Sequence, residues 1–369
     1  MKKSMKAVVA TVFALTSTFA MTSTAGASAP SVKNNDKCLK TQYGKSTKTG
    51  KSTFKCSFNA KTKKYTWKTV ATVATTLPPI DLAKLDKTGW PTKLVIGGVP
   101  AENITTMQTK WDGLINLLKD ELGIPVEFYA GTSYAGVIEA AIAKKVDMVA
   151  WGAMSYIVSK LNGAKIEPIG ISKYVDGTTS YTSKLIVKTG SPITKMADLR
   201  GKTVCFVSDT STSGGLIPTE GVLAAGLKMT DITRSNKGTH DNSVLGLAAG
   251  QCEAAFAQEA TIAALGTGAF SAMKPADYKT IWESGPIPNG PFSISSLLPA
   301  SFRAAVKNIM YTKMNKEYFV SKGYNGCKDV ATCIIVEDKN TASFIKVEDA
   351  FYDTIRKVCE ATKSSACKA

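Results

Sequence analysis

From residue 92 onward, short apolar runs alternate with longer stretches in which apolar residues recur every three or four positions. Leu94-Val95-Ile96, ending in Gly97-Gly98, reads as a buried strand, and the stretch from Met107 to Leu122 sets Trp111, Leu114, Ile115, Leu118 and Leu122 at helical spacing. The alternation continues through a strand at 126–129, a helix at 134–144, a strand at 146–151, a helix near 154–161, and strands at 166–171 and 184–187. A second series follows: strand 203–207, helix 213–227, strand 232–234, helix 242–249, strand 253–257 and helix 260–265. Residues 294–298 predict a strand that returns the chain to the first series, before helices near 301–314 and 347–358. Such alternation predicts parallel sheets covered by helices on both faces. Two such units joined by crossing strands predict a hinged α/β pair, with lobe I at 92–188 and 293–369 and lobe II at 189–292. A ligand belongs between them, where strand carboxyl ends and helix N-termini face the cleft.

The first ninety residues follow no such pattern. Lys2, Lys3 and Lys6 precede an apolar stretch, Ala7 to Ala20, and small residues end at Ala25-Gly26-Ala27. This is the layout of a signal peptide, so residues 1–27 are excluded from the mature fold, and an exported protein is expected. Residues 28–77 predict a basic β module: Gly44 and Gly50 mark turns, and Thr53 to Phe58 and Tyr65 to Trp67 alternate in strand fashion. Residues 78–91, opening on Pro78-Pro79, read as a linker.

Charge and cysteine usage follow this division. Of the net +17, three charges fall in the leader and ten in residues 28–77, where eleven lysines face Asp36 alone, leaving +4 for the rest. The two lobes therefore lack the basic face of a nucleic-acid binder, and no nucleic-acid partner is expected. The basic module reads either as a soluble spacer or as a contact to an anionic cell envelope. With export, the eight cysteines predict disulfides. Short spacings pair Cys38 with Cys56, Cys327 with Cys333 and Cys359 with Cys367, which leaves Cys205 and Cys252 beside two strands of one lobe. One histidine in 369 residues argues against a zinc site, and no cofactor or metal is implied.

The segment Ser208-Asp209-Thr210-Ser211-Thr212-Ser213-Gly214-Gly215 carries the clearest chemistry. It lies between a strand and a helix, where the first amides of the helix lack partners and the dipole is positive, so hydroxyls placed there complete an oxyanion site. An ordinary Ser/Thr cap needs only one of these hydroxyls. Gly131-Thr132-Ser133-Tyr134 and Thr239-His240-Asp241-Asn242 occupy two similar junctions. Tyr134 offers a phenolic proton and His240 an imidazole N–H.

Residues 93–298 resemble the periplasmic phosphate/phosphite/phosphonate-binding family of ABC importers. The resemblance is carried by Ser133-Tyr134-Ala135-Gly136-Val137-Ile138-Glu139-Ala140, by Val146 to Gly152 with Ser155-Tyr156, by Ser180-Tyr181-Thr182-Ser183, and most specifically by Ser211-Thr212-Ser213-Gly214 with a histidine about thirty residues on. It implies a two-lobed type II periplasmic-binding-protein fold, a monomer that hands a small phosphorus oxyanion to an ABC permease in the membrane, and Tyr134, Tyr181, Ser211, Thr212, Ser213 and His240 as the residues that hold the phosphorus oxygens. Aminophosphonate-binding members pair two carboxylates around the ligand's ammonium group. Glu259 fits the first position, and the second falls in Ile287-Pro288-Asn289-Gly290-Pro291, which holds no acid. This favours phosphite, methylphosphonate or another amine-free ligand, with Glu259 as the acceptor for a P–OH or as a structural contact.

Three rival readings stay open. A secreted serine hydrolase would use Ser133 in Gly131-Thr132-Ser133-Tyr134-Ala135, with Asp209 and His240 following in triad order. A receptor for another solute, thiamine-like or a sulfonate, would stack it on Tyr134, Tyr156, Tyr181 or Trp151. An envelope adhesion protein would bind through the basic module and use the lobes as scaffold.

Overall fold

A computed structural model describes residues 33–39, 46–49, 52–59, 64–70, 80–336 and 340–367. The expected leader at 1–27 lies outside the described residues, as do parts of the module and of the linker. The chain forms two compact units that divide between Thr72 and Val73.

In the first unit β1 (Ser46–Thr49), β2 (Ser52–Asn59) and β3 (Lys64–Val70) pair antiparallel in sequence order. Cys56 and Trp67 are register partners, and with Phe54 they are buried together. So few buried residues make a thin core for an independent fold. The Cys38–Cys56 disulfide reinforces it by fixing the segment whose Asn35 and Cys38 amides bond to the Trp67 and Tyr65 carbonyls.

The second unit begins with β4 (Leu94–Gly98), α1 (Ile104–Leu122), β5 (Val126–Tyr129), α2 (Tyr134–Ile142), β6 (Met148–Ala150), α3 (Ala153–Leu161) and β7 (Ile166–Tyr174). α1 starts where the Asn103 side chain accepts the Thr105 amide at 2.9 Å and stops at Gly123, whose φ of 71° only glycine adopts readily. Its buried stripe holds Trp111, Leu114, Leu118 and Leu122, as the spacing predicts, with Leu117 fully buried where Ile115, also expected there, is only partly so. The chain continues through β8 (Ser180–Tyr181), β9 (Ser183–Lys188), β10 (Thr203–Phe206), α4 (Ile217–Ala224), β11 (Thr233–Asn236), α5 (His240–Ala248), β12 (Ala254–Gln258), α6 (Glu259–Ala263), β13 (Tyr278–Glu283) and β14 (Ile287–Pro288). It ends with β15 (Phe292–Ser295), α7 (Ala300–Thr312), α8 (Lys316–Lys322), β16 (Thr341–Lys346) and α9 (Asp353–Thr362).

These strands build two lobes. Lobe I has a six-stranded sheet in the order β16-β7-β15-β6-β4-β5, and lobe II a five-stranded sheet in the order β11-β10-β12-β9-β13. The parallel strands expected from the alternation are present, and each sheet adds antiparallel strands to them. β4, β5 and β6 run parallel, as do β10, β11 and β12, because helices carry the chain back between them. β15 and β16 in lobe I, and β9 and β13 in lobe II, pair antiparallel because the chain enters them by crossing or from a loop. One correction concerns residues 184–187, expected in lobe I. They lie in β9, which pairs with β12 and β13 of lobe II. The crossing itself is the two-stranded ribbon of β8 and β14.

All four expected disulfides form: Cys38–Cys56, Cys205–Cys252, Cys327–Cys333 and Cys359–Cys367. Cys205–Cys252 closes the longest loop, a separation of 47 residues. On the chain-entropy argument it restrains the unfolded chain by about 4 kcal/mol.

Candidate functional site

The segment after β10 folds as its composition requires. Ser211 caps the next helix, its Oγ accepting the Gly214 amide at 3.1 Å. The opening turn is wide: the amides of Leu216 and Ile217 reach back five residues, to the carbonyls of Ser211 and Thr212. Wide turns of this kind are uncommon and concentrate at functional positions. They need room that only glycine leaves. A Cβ on Gly214 would stand 2.2 Å from Val207 Cγ2, and one on Gly215 would stand 2.1 Å from the Ser208 carbonyl oxygen. Ser211, Thr212 and Ser213 are each 1% exposed, a burial that hydroxyls tolerate only with partners.

Those partners come from both lobes. Thr212 Oγ1 accepts the Met154 amide at 2.9 Å, so the N-terminus of α3 in lobe I meets the turn of lobe II. Ser213 Oγ lies 3.4 Å from His240 Nε2, and the Ser213 carbonyl accepts from Ser183 Oγ at 2.6 Å. His240 opens α5, and its Nδ1 accepts the Gln258 amide at 3.1 Å. Burial pushes its pKa down from 6.5 to about 3, so the ring is neutral at pH 7 and carries its proton on Nε2. Two further bonds join the lobes here: the His240 amide to the Ala101 carbonyl at 3.0 Å, and the Asn103 amide to Asp241 Oδ2 at 3.3 Å. Burial raises the Asp241 pKa, against the lowering effects of the Asn103 amide and Lys110.

The structure thus joins Ser211, Thr212, Ser213 and His240 directly. Tyr134, the first residue of α2, belongs to the buried cluster that also holds Val207, Leu216 and Ile217 from the turn's flanks, and Tyr181 packs against that cluster. Glu259 begins α6, and its carboxylate lies 2.8 Å from Thr182 Oγ1. Asn289 is buried, with Nδ2 donating to the Ser172 carbonyl and Oδ1 accepting from the Tyr174 hydroxyl. Among the described residues, the hydrogen-bond partners of Ser211, Thr212, Ser213 and His240 are amides, hydroxyls and carbonyls, and none is a lysine or arginine.

Sequence reasoning missed the Met154 amide, Ser183 and Glu283. Met154 and Ser183 sit in or beside stretches that carry the family resemblance, but a backbone donor and a hydroxyl aimed at a carbonyl leave no side-chain signature. Glu283 comes from an edge strand, β13, and its Oε1 stands 2.7 Å from the same Thr182 hydroxyl that reaches Glu259.

The hydrolase triad does not assemble. Ser133 accepts the Gly136 amide at 3.0 Å as the cap of α2. Asp209 pairs with Arg234 at 2.8 Å, while the Arg234 guanidinium lies over the Phe206 ring. His240 Nδ1, which a triad would direct at a carboxylate, receives a backbone amide instead. A cavity of about 330 Å3 beside His240 is lined from both lobes by residues that include Asn103, Thr105, Thr132, Thr239 and Asp241. A larger one of about 400 Å3, next to Cys359 and Cys367, borders none of the candidate ligand residues.

A family model described as the periplasmic substrate-binding protein of phosphonate ABC transporters matches residues 96–332. The phosphate-import protein PhnD of Mycolicibacterium smegmatis is 33% identical over 292 residues, which cover 76% of this chain and 89% of that protein. The phosphonates-binding periplasmic protein of Escherichia coli is 29% identical over 205 residues, 54% of this chain and 59% of its own length. Among solved structures, PhnD1 from Prochlorococcus marinus in complex with methylphosphonate shares the fold, with a TM-score of 0.64, 16% identity, and coverage of 74% of this chain and 99% of that one.

Proposed function

Because this chain belongs to the family of periplasmic substrate-binding proteins of phosphonate ABC transporters, we propose that its lobes close on a tetrahedral phosphorus oxyanion without an ammonium group. Phosphite, methylphosphonate and phosphate are the candidates. The protein is a solute-binding component and not an enzyme, and membership of the family implies export. One observation carries the ligand reading: a buried turn of three hydroxyls, closed by a neutral imidazole N–H. Ser213 and Thr212 each keep one hydroxyl proton to give, because Thr212 Oγ1 accepts from the Met154 amide and Ser213 Oγ accepts from the Nε2–H of His240. Oriented neutral donors and helix-start amides stabilise an anion without a fixed cation, and they read geometry as well as charge.

Tyr134 donates from lobe I and Tyr181 from the crossing ribbon, and Glu259 accepts a ligand P–OH through a lone pair not taken by Thr182. A ligand spanning both lobes stabilises the closed form, which a membrane permease then engages. The chain works as a monomer, and its basic N-terminal module contacts the anionic cell envelope. The relative named for phosphate import supports an amine-free ligand, as does the locked amide of Asn289 in the segment matching the second acid of aminophosphonate-binding members.

Glu283 favours a second reading. Two carboxylates within 2.8 Å of one hydroxyl, which has a single proton to share, and only Glu283 of them near a lysine among the described residues (Lys184 Nζ, 3.7 Å), suit an ammonium group of an aminophosphonate. Titration calorimetry separates the two. Heat with phosphite, methylphosphonate or phosphate, and about tenfold weaker binding of 2-aminoethylphosphonate, is expected. Tighter binding of the aminophosphonate transfers the assignment to the Glu259–Glu283 reading. Absence of heat with all of them overturns both.

A further inference from the structure

The N-terminal unit lies outside the residues that match the family and carries most of the net charge. Its strand register sorts those charges. Across β2 and β3, Cys56 stands opposite Trp67 and Phe58 opposite Tyr65, so the apolar positions share one face. The alternate positions make the other face: Lys55 opposite Lys68, Ser57 opposite Thr66 and Asn59 opposite Lys64. Pairing with β1 adds Lys48 opposite Thr53, and a bridge to Thr66 adds Lys37. Lys37 and Lys64 are exposed. None of these register positions holds a carboxylate, and Asp36, the single acid between residues 28 and 77, accepts the Lys33 amide at 2.7 Å.

Like charges set directly opposite each other in a sheet repel, so this face is arranged at a cost that counter-charge against it removes. The residues between the lysines are Ser, Thr and Asn, which hydrogen-bond to oxyanions. Among the described residues, the register positions of this face hold no apolar residue to enter a bilayer apart from Val70 at its end, opposite Thr53. We propose that this lysine face binds a hydrated anionic polymer of the cell envelope, one bearing repeated phosphate or carboxylate groups, and tethers the receptor there. Alternate residues along a strand repeat at about 7 Å and neighbouring strands at about 5 Å, so several lysines meet one polymer chain at once. The inference rests on the envelope contact proposed above and is independent of the solute.

The test uses the full mature chain and two probes, long-chain inorganic polyphosphate and polygalacturonate, measured by co-sedimentation. Binding to either at 0.1 M salt is expected, weakening at least about tenfold by 0.5 M salt as screening predicts. Which probe binds identifies the anionic group. A variant carrying Lys55→Gln and Lys68→Gln should bind at least about tenfold more weakly, and a second carrying Lys37→Gln and Lys64→Gln should also weaken. Solute calorimetry and the mass of the Cys38–Cys56 disulfide, taken on the same samples, establish that each variant is folded. Normal solute binding with no polymer binding sinks this inference alone, and absent solute heat with polymer binding sinks only the solute reading. Binding to phosphatidylglycerol vesicles but to neither polymer overturns it as well.

Discussion

Two serine-capped turns, one in each lobe, begin alike and end differently. Ser133 and Ser211 each accept the amide three residues on, from Gly136 and Gly214, and each opens a helix at the end of a strand. Thr132 and Ser133 are exposed, whereas Ser211, Thr212 and Ser213 are buried. A Cβ on Gly136 would meet only Ser133 Oγ, at 3.1 Å, while Cβ atoms on Gly214 and Gly215 would collide with Val207 and with backbone. The lobe I turn is a cap. The lobe II turn is a cap that has also been buried, widened and bonded across the cleft, and on those additions the proposed anion site rests.

The largest test of this contrast is Gly214→Ala. The added methyl must displace the turn, and binding of the phosphorus oxyanion should weaken about 100-fold or more, the equivalent of two charge-assisted hydrogen bonds. Gly136→Ala should leave affinity within about twofold. Calorimetry on both variants would break the contrast if the two losses were similar.

Acidification distinguishes the turns next, because the lobe II turn leans on a buried neutral histidine. The folded His240 pKa of about 3 lies below its ordinary 6.5, so between these values the unfolded chain binds the extra proton. Stability is full above pH 6.5 and falls as the pH drops, by roughly 3 kcal/mol from this group at pH 4. Denaturation midpoints of His240→Asn should fall less steeply over that range, and equal slopes would remove the buried imidazole from the account.

Thr212→Val ranks third. It leaves the Met154 amide without its acceptor, which costs about 1–3 kcal/mol of closed-state stability, and it weakens ligand binding by about tenfold. Ser133→Ala should cost about 1 kcal/mol of stability, the value of a helix cap, with affinity unchanged. The smallest effect is the stability of Gly136→Ala, within about 1 kcal/mol, since better helix propensity offsets a tight contact with Ser133 Oγ.

The capping serines, the glycines and the strand–helix rhythm were legible because each is local. α1 came through with most of its buried stripe, and the Ser-Thr-Ser-Gly segment stood out because its hydroxyls fall between a strand and a helix. Elements with weak periodicity did not come through. β13 is a half-exposed edge strand with irregular burial, so neither its pairing nor Glu283 at its end left a pattern. The same holds for β9, whose apolar run reads alike in either lobe and is assigned only by its partners.

Chain order and residue type by themselves determined two α/β lobes, most of the helices to within a few residues, the disulfide-closed module and the hydroxyls at 211–213. Periodicity, caps and cysteine spacing act between near neighbours, so the chain displays them directly. Tertiary structure alone decided that Thr212 takes its bond from Met154, that His240 turns Nδ1 to a backbone amide and Nε2 to Ser213, and that Glu283 joins Glu259 at Thr182. Those contacts join residues from 18 to 101 positions apart. Their direction depends on how two sheets meet, and no local pattern specifies that.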